Sequence, residues 1–349
     1  GEKLESTKLA LHSIVDQLGE GDSITLVSFS DNARVEVPST IADASGRSAM
    51  HAAITKLDVE GGTNIEAGLV LGYDQVELAH DGFGGIEDRV MLFTDAQPNI
   101  GATSSGSFLA IVNDGADEGI GISVFGVGLD LGAELASEIS EVRGGNSFYL
   151  GAEALAPLFE DQFVEIVTPV AYSMRFNVRP GEGFSFARSY GTPDANADGE
   201  VDFSVATGFL SQSGGAMAVL IEGDMNQAEE GLPVVTFSLD YLTVDGESLG
   251  DTFEVGWLGG DLPISERGEA DHAGSAKLAV LLDEYLALEA AARSCEGDLP
   301  ETEAIARVNE ATARLDAMAE LLDDDPLRQE ADLMRKLAEN LSGAGCWVD

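Results

Sequence analysis

Two oxygen-bearing side chains at turn positions have the chemistry to hold a hard divalent cation. They are Thr63, in Gly61-Gly62-Thr63-Asn64, and Asp95, which closes the run Val90-Met-Leu-Phe-Thr-Asp95. Mg²⁺ and Mn²⁺ prefer oxygen ligands, so a threonine hydroxyl and a carboxylate supply part of an octahedral shell. Spacing alone also admits a reading without metal, in which Thr63 caps a helix and Asp95 forms a turn before Pro98. A second set of donors lies at Asp194, Asn196, Asp198 and Asp202. They fall at positions 1, 3, 5 and 9 of a Ca²⁺-binding loop, with Gly199 at position 6. Position 12 is Val205, so the bidentate carboxylate is missing, and a solvated Asp/Asn hairpin fits the same residues.

Other motifs carry less. Gly126-Val-Gly128-Leu-Asp-Leu-Gly132 is one residue too long for a dinucleotide fingerprint, and no acidic residue ends a following strand at the right distance. The histidines, His12, His51, His80 and His272, are scattered, with no two at metal spacing. Neither cysteine has a histidine close in sequence, and no enzyme is expected.

The elements that must position Thr63 and Asp95 follow from hydrophobic period. Val90 to Phe93 are four apolar residues in a row, too few for a helix and suited to a strand buried on both faces. Ligands of open parallel sheets lie outside the carboxyl ends of the strands, where Thr94 and Asp95 fall. Before it the pattern predicts a helix over 2–18, a strand over 24–29, a short edge strand over 34–37 closed by Pro38, and helices over 50–57 and 65–78. After it come a helix near 108–113, a strand over 122–127, a helix over 133–142, a strand over 147–150 and a helix over 155–167. This alternation implies one α/β domain over residues 1–168, with a doubly wound, mostly parallel sheet. Period two takes over beyond Pro169, with strands at 170–178, 183–190, 201–205, 216–221, 234–244 and 252–257, implying a β-sandwich-like domain over 169–262. Helical spacing returns in a C-terminal segment over 263–349, where Asp298-Leu-Pro-Glu301 offers a capping box.

Composition bounds the function. Hydrophobic residues make up 44% of 349, enough for a real core. A formal net charge of -45, from 63 acidic against 18 basic residues, argues against nucleic acid or an anionic membrane and makes cations the natural partners. No apolar run reaches spanning length, because Asp283 and Glu284 interrupt the stretch from Leu278 to Ala292, so no membrane insertion is expected. The chain opens on Gly1 without a signal sequence and reads as a processed or trimmed piece. Cys295 and Cys346 suit one disulfide in an exported protein, closing a loop of about 50 residues and contributing roughly 4 kcal/mol; two free thiols are the alternative.

Five blocks in order resemble a known family: Glu2-Lys-Leu-Glu-Ser-Thr-Lys-Leu-Ala-Leu11, Gly21-Asp-Ser-Ile-Thr-Leu-Val-Ser-Phe-Ser-Asp31, Gly61-Gly-Thr-Asn-Ile65, Val90-Met-Leu-Phe-Thr-Asp-Ala-Gln-Pro-Asn99 and Ile122-Ser-Val-Phe-Gly-Val-Gly128. They look like the von Willebrand factor type A domain, in its bacterial form with a β extension and a helical C-terminal segment. The family's metal-ion-dependent adhesion site combines an Asp-x-Ser-x-Ser motif, a threonine from a second loop and an aspartate from a third; Thr63 and Asp95 match the last two. In the family the first motif and its strand precede the helix that begins here at Glu2, so the resemblance implies a longer parent chain whose first, central strand is not in this sequence. It further implies a metal-dependent protein-binding or adhesion module, extracytoplasmic and bacterial, whose protein partner completes the cation's shell with an acidic side chain. The competing expectation is a structural scaffold that uses the same fold without a cation. A hydrolase with a site between domains is a third.

Overall fold

The computed structural model describes residues 2–79, 87–95, 99–101, 104–127, 133–210, 217–223, 232–256 and 273–343. They divide into two units, and the β segment beyond Pro169 contributes to both. The first unit comprises residues 1–179, 195–215 and 235–254; the second comprises 180–194, 216–234 and 255–349.

In the first unit, helix α1 (Glu2–Gln17) leads into strands β1 (Ser23–Phe29) and β2 (Ala33–Ile41), helices α2 (Ala44–Lys56) and α3 (Ile65–Ala79), and strand β3 (Arg89–Thr94). Helix α4 (Ser105–Asp117), strand β4 (Gly121–Val127), helix α5 (Ala133–Ser140), strand β5 (Gly145–Leu150) and helix α6 (Ala152–Val167) follow. Strands β3, β4 and β5 form a parallel sheet in that order, with Phe93 opposite Phe125 and Thr94 opposite Gly126. Every residue of β4 is buried, as the apolar run implies for a strand covered on both sides. Alternate side chains leave on opposite faces. Val90, Leu92, Ile122 and Val124 pack under Ile65, Leu69 and Tyr73 of α3 and Phe108 of α4. Met91, Phe93, Phe125 and Phe148 pack on Ala10 and Ile14 of α1 and Leu155, Phe159 and Phe163 of α6. The sheet is therefore doubly wound.

Strands β1 and β2 pair antiparallel. Among the described residues they form a sheet of their own, not hydrogen-bonded to β3. Helices bridge the two pieces: Phe29 of β1 joins the α3 cluster and Ile24 joins the α1 cluster. Strand β2 runs on through Pro38 instead of ending there. The pairing skips from Leu26–Val37 to Ile24–Thr40, so the proline falls in a bulge where its missing N–H breaks no ladder bond.

Strands β6 (Pro169–Pro180), β8 (Val201–Phe209), β10 (Pro233–Leu242) and β11 (Ser248–Gly256) form a four-stranded sheet in the order β11-β10-β6-β8. It is anchored to the α/β layers by the Gly144 N–H donating to Thr207 Oγ1 at 2.7 Å. In the second unit, β7 (Phe184–Tyr190) pairs antiparallel with β9 (Ala218–Gly223). There too, helices α7 (Ala273–Glu296), α8 (Glu301–Leu322) and α9 (Asp325–Gly343) share a core of Val308, Leu315, Met318, Leu327 and Met334. The expected capping box does not form. Pro300 is the residue that precedes α8, and the Asp298 N–H instead bonds Arg293 O beyond the last turn of α7. Among the described residues no helix is long and apolar enough to cross a membrane.

Candidate metal centre

Strand β3 delivers Asp95 one residue past its carboxyl end, beside the buried Thr94. Thr63 arrives on the loop between α2 and α3. Two reciprocal contacts fasten that loop to the chain beyond Asp95: the Thr63 N–H donates to Asn99 Oδ1 at 2.8 Å, and Thr63 O accepts the Asn99 N–H at 3.1 Å. The end of β1 holds it from the other side. Asp31 Oδ1 accepts the Gly62 N–H at 2.6 Å, Ser30 O accepts the Asn64 N–H at 2.8 Å, and Asn64 Nδ2 donates to Asp31 O at 3.2 Å. A Cβ at Gly62 would lie 2.2 Å from the end of the Ile100 side chain and 2.6 Å from Asp31 Oδ1, so both would have to shift for a larger residue there.

Three loops thus meet at one rim. The cap of α3 is Asn64, whose Oδ1 accepts the Ala67 N–H at 3.1 Å, and not Thr63. That leaves the Thr63 hydroxyl without a hydrogen-bond partner among the described residues. Asp95 is exposed, and the Lys3 ammonium lies 3.8 Å from its Oδ2 and 3.4 Å from its carbonyl oxygen. A positive charge already stands by this carboxylate. At the flank, Arg34 bonds both Glu60 and Glu36. The Glu60 carboxyl is held below the usual carboxylate range by Arg34 and then by Ser30.

The other predicted donors are arranged differently. Asn196 Oδ1 accepts the N–H groups of Asp198 and Glu200 at 2.9 and 3.1 Å, so its Nδ2 faces outward and donates to Asp202 Oδ2 at 2.7 Å. Asn177 Nδ2 takes Asp202 Oδ1 at 2.5 Å and Glu200 Oε2 at 2.8 Å. Both Asp202 carboxylate oxygens thus accept from asparagine amides, and Gly199 closes the hairpin at φ +77. Asp198 meets Asn196 through its backbone, and Asp194 belongs to the second unit. Among the described residues no three His, Cys, Asp or Glu side chains are grouped to hold a metal. Cys295 packs against the helical core, while Cys346 lies outside the described residues, as do 128–132 of the glycine turn, His80 and His272.

Sequence reasoning passed over Asp31, Asn99 and Lys3 at the rim. Asp31 alone had a signal, as a turn residue just past a strand of the same sheet. It also missed a contact elsewhere in the first unit, where His12 and His51, far apart in sequence, meet at 2.7 Å.

Residues 1–161 match the family described as von Willebrand factor type A domain. Over these residues the chain is similar to a type A domain. The chain is 35% identical over 152 residues to the uncharacterised protein YfbK of Escherichia coli (strain K12), covering 43% of this chain and 25% of YfbK. It is 24% identical over 182 residues to inter-alpha-trypsin inhibitor heavy chain H4 of Bos taurus, covering 50% of this chain and 20% of that protein. The chain thus spans about a quarter or less of the length of these relatives. Among solved structures, a von Willebrand factor type A protein from Catenulispora acidiphila aligns over 96% of this chain and 78% of its own, with 15% identity and a TM-score of 0.47. Proximal thread matrix protein 1 from the mussel byssus, with a zinc-occupied metal-ion-dependent adhesion site, aligns over 49% of this chain and 44% of its own, with 16% identity and a TM-score of 0.40. Type A domains can bind a divalent metal at such a site.

Proposed function

We propose that this chain is part of a metal-dependent protein-binding or adhesion module of a bacterial extracytoplasmic protein, with a binding and not a catalytic role. The observation that carries the reading is the pair of Thr63–Asn99 hydrogen bonds, which draws the threonine loop and the aspartate loop to one rim, with the Thr63 hydroxyl unbonded among the described residues. A hydroxyl and an exposed carboxylate are the hard donors that Mg²⁺ or Mn²⁺ prefers. Thr63 and Asp95 would hold the ion, and the ion would supply a positive centre that an acidic side chain of a protein partner can ligate. Lys3, close to Asp95, favours a second reading in which the rim works as a scaffold without a cation.

Manganese binding separates the two. Calorimetric titrations would compare this chain with the same chain preceded by an apolar strand ending in Asp-x-Ser-x-Ser. The expected result is tight Mn²⁺ binding by the extended chain, at least tenfold weaker after Thr63→Ala or Asp95→Ala. Equal binding with and without the extension, indifference to both substitutions, or no binding by either chain would overturn the ligand assignment.

A further inference from the structure

Helices α1 and α2 bring together two imidazoles that no sequence spacing announced. His12 Nδ1 lies 2.7 Å from His51 Nδ1, with ring centroids 4.9 Å apart and planes inclined by 30°. On its other side, His51 Nε2 lies 3.1 Å from Asp16 Oδ1. Asp16 follows His12 by four residues, one helical turn along the same face. The two helices are fixed independently of the histidines. The Arg47 guanidinium of α2 donates to the carbonyl oxygens of Val15 and Leu18, and Val15 packs with Met50 and Ile54.

Asp16 accepts the Nε2 proton of His51. The two Nδ1 atoms share one hydrogen bond, so at least one of them presents a lone pair to the other. Burial, and next the neighbouring His51, hold the His12 ring below the usual histidine value. The two imidazoles face each other through their Nδ1 atoms. A carboxylate that takes the remote N–H of a histidine is the arrangement that orients metal-bound imidazoles.

We infer that His12 and His51 form a transition-metal site, taking Zn²⁺, Cu²⁺ or Ni²⁺ through their facing Nδ1 atoms, with Asp16 holding the His51 ring in place. Bonds of about 2.0–2.1 Å at a tetrahedral angle put two ligating nitrogens about 3.3 Å apart. The rings therefore open by about 0.6 Å, a small side-chain rotation. Ligation needs both Nδ1 atoms unprotonated, so the proton between the rings moves to His12 Nε2 or to water as the metal arrives. Lys8 does not occupy the gap, because its ammonium is drawn to Glu5 Oε1 at 3.0 Å and Thr55 O at 3.5 Å. The site offers two protein ligands, and water or a partner's side chain fills the rest of the shell. Imidazole nitrogens select these ions over Mg²⁺, which the oxygen rim at Thr63 and Asp95 would prefer.

The test uses the full chain with Asp95→Ala throughout, so that zinc at the rim cannot contribute. Zinc affinity is read by competition with a chromophoric chelator, and the site of binding by long-range proton–nitrogen spectra of the imidazole rings. The expected outcome is one zinc equivalent that shifts the Nδ1 resonances of His12 and His51, is lost in His12→Gln and His51→Gln, and is 10–100-fold weaker in Asp16→Asn. Mg²⁺ leaves these resonances unmoved. Thermal melts without metal check that each variant is folded, and Asp16→Asn keeps both ligands should a glutamine variant fail. Unshifted ring signals at saturating zinc, or an affinity unchanged by His51→Gln or by Asp16→Asn, would overturn the inference.

Discussion

Removing the Asp31 carboxylate isolates what holds the threonine loop in place. In Asp31→Ala the Gly62 N–H loses a charged acceptor at 2.6 Å, while the Thr63–Asn99 contacts and the Asn64–Ser30 bond are left formally intact. A hydrogen bond to a charged group contributes about 1.5–3 kcal/mol, and the exposure of Asp31 argues for the low end. A loss of about 1.5 kcal/mol raises the equilibrium constant for loop opening about tenfold. Amide hydrogen exchange reads this directly, since local opening sets the rate of loop amides. The Thr63 and Asn64 amides, bonded to Asn99 and Ser30, should exchange about tenfold faster, whereas Val124, in the fully buried β4, should be unchanged. Acceleration of less than about threefold at Thr63 would refute the claim that Asp31 clamps the loop. Equal acceleration at Val124 would show that the whole domain had been destabilised instead.

The β1–β2 hairpin should be acid-labile. Glu36 is held below its usual range by the Ser28 hydroxyl and then by Arg34, so the stability it contributes is present above pH 4.5 and is lost as pH falls through its lower folded value. The difference in Tm between wild type and Glu36→Gln should shrink between about pH 6 and about pH 3, and a constant difference counts against this coupling. Phe125→Ala removes a ring, 0% exposed, that stacks between Phe93 and Phe148 at 4.8 and 5.1 Å and should cost about 3–5 kcal/mol in denaturant unfolding. Asn196→Ala removes three side-chain hydrogen bonds from the hairpin at 196–202 and should lower stability by about 1–2 kcal/mol without rescue by calcium, while Asp198→Ala leaves terbium luminescence unchanged. If Cys295 and Cys346 are bridged, the denatured, unreduced protein will show no reactive thiol; two would exclude the bridge.

The strands around the rim were legible because their burial is written as composition. Val90–Phe93 is apolar at every position since both faces of β3 are covered, and the end that carries Asp95 follows from the direction of a parallel strand. Pro38 misled for a physical reason: proline ends a strand only where its N–H is needed, and the bulge between the Leu26–Val37 and Ile24–Thr40 pairs removes the need. Asp31 and Asn99 could not be assigned because their partners belong to loops that meet only after the helices have packed. The His12–His51 contact was hidden likewise, since each histidine obeys the period of its own helix and their meeting depends on how α1 crosses α2. The Ca²⁺-like spacing at 194–202 fits a cation loop and an Asx hairpin equally well, and only the direction of the Asn196 amide separates them.

The threonine loop is the keystone of the rim. Among the described residues it is tied to the end of β1 by the Gly62–Asp31, Asn64–Ser30 and Asn64–Asp31 bonds, and to the chain beyond Asp95 by the pair of bonds between Thr63 and Asn99. A shift of this one loop would therefore be felt at both of its neighbours at once.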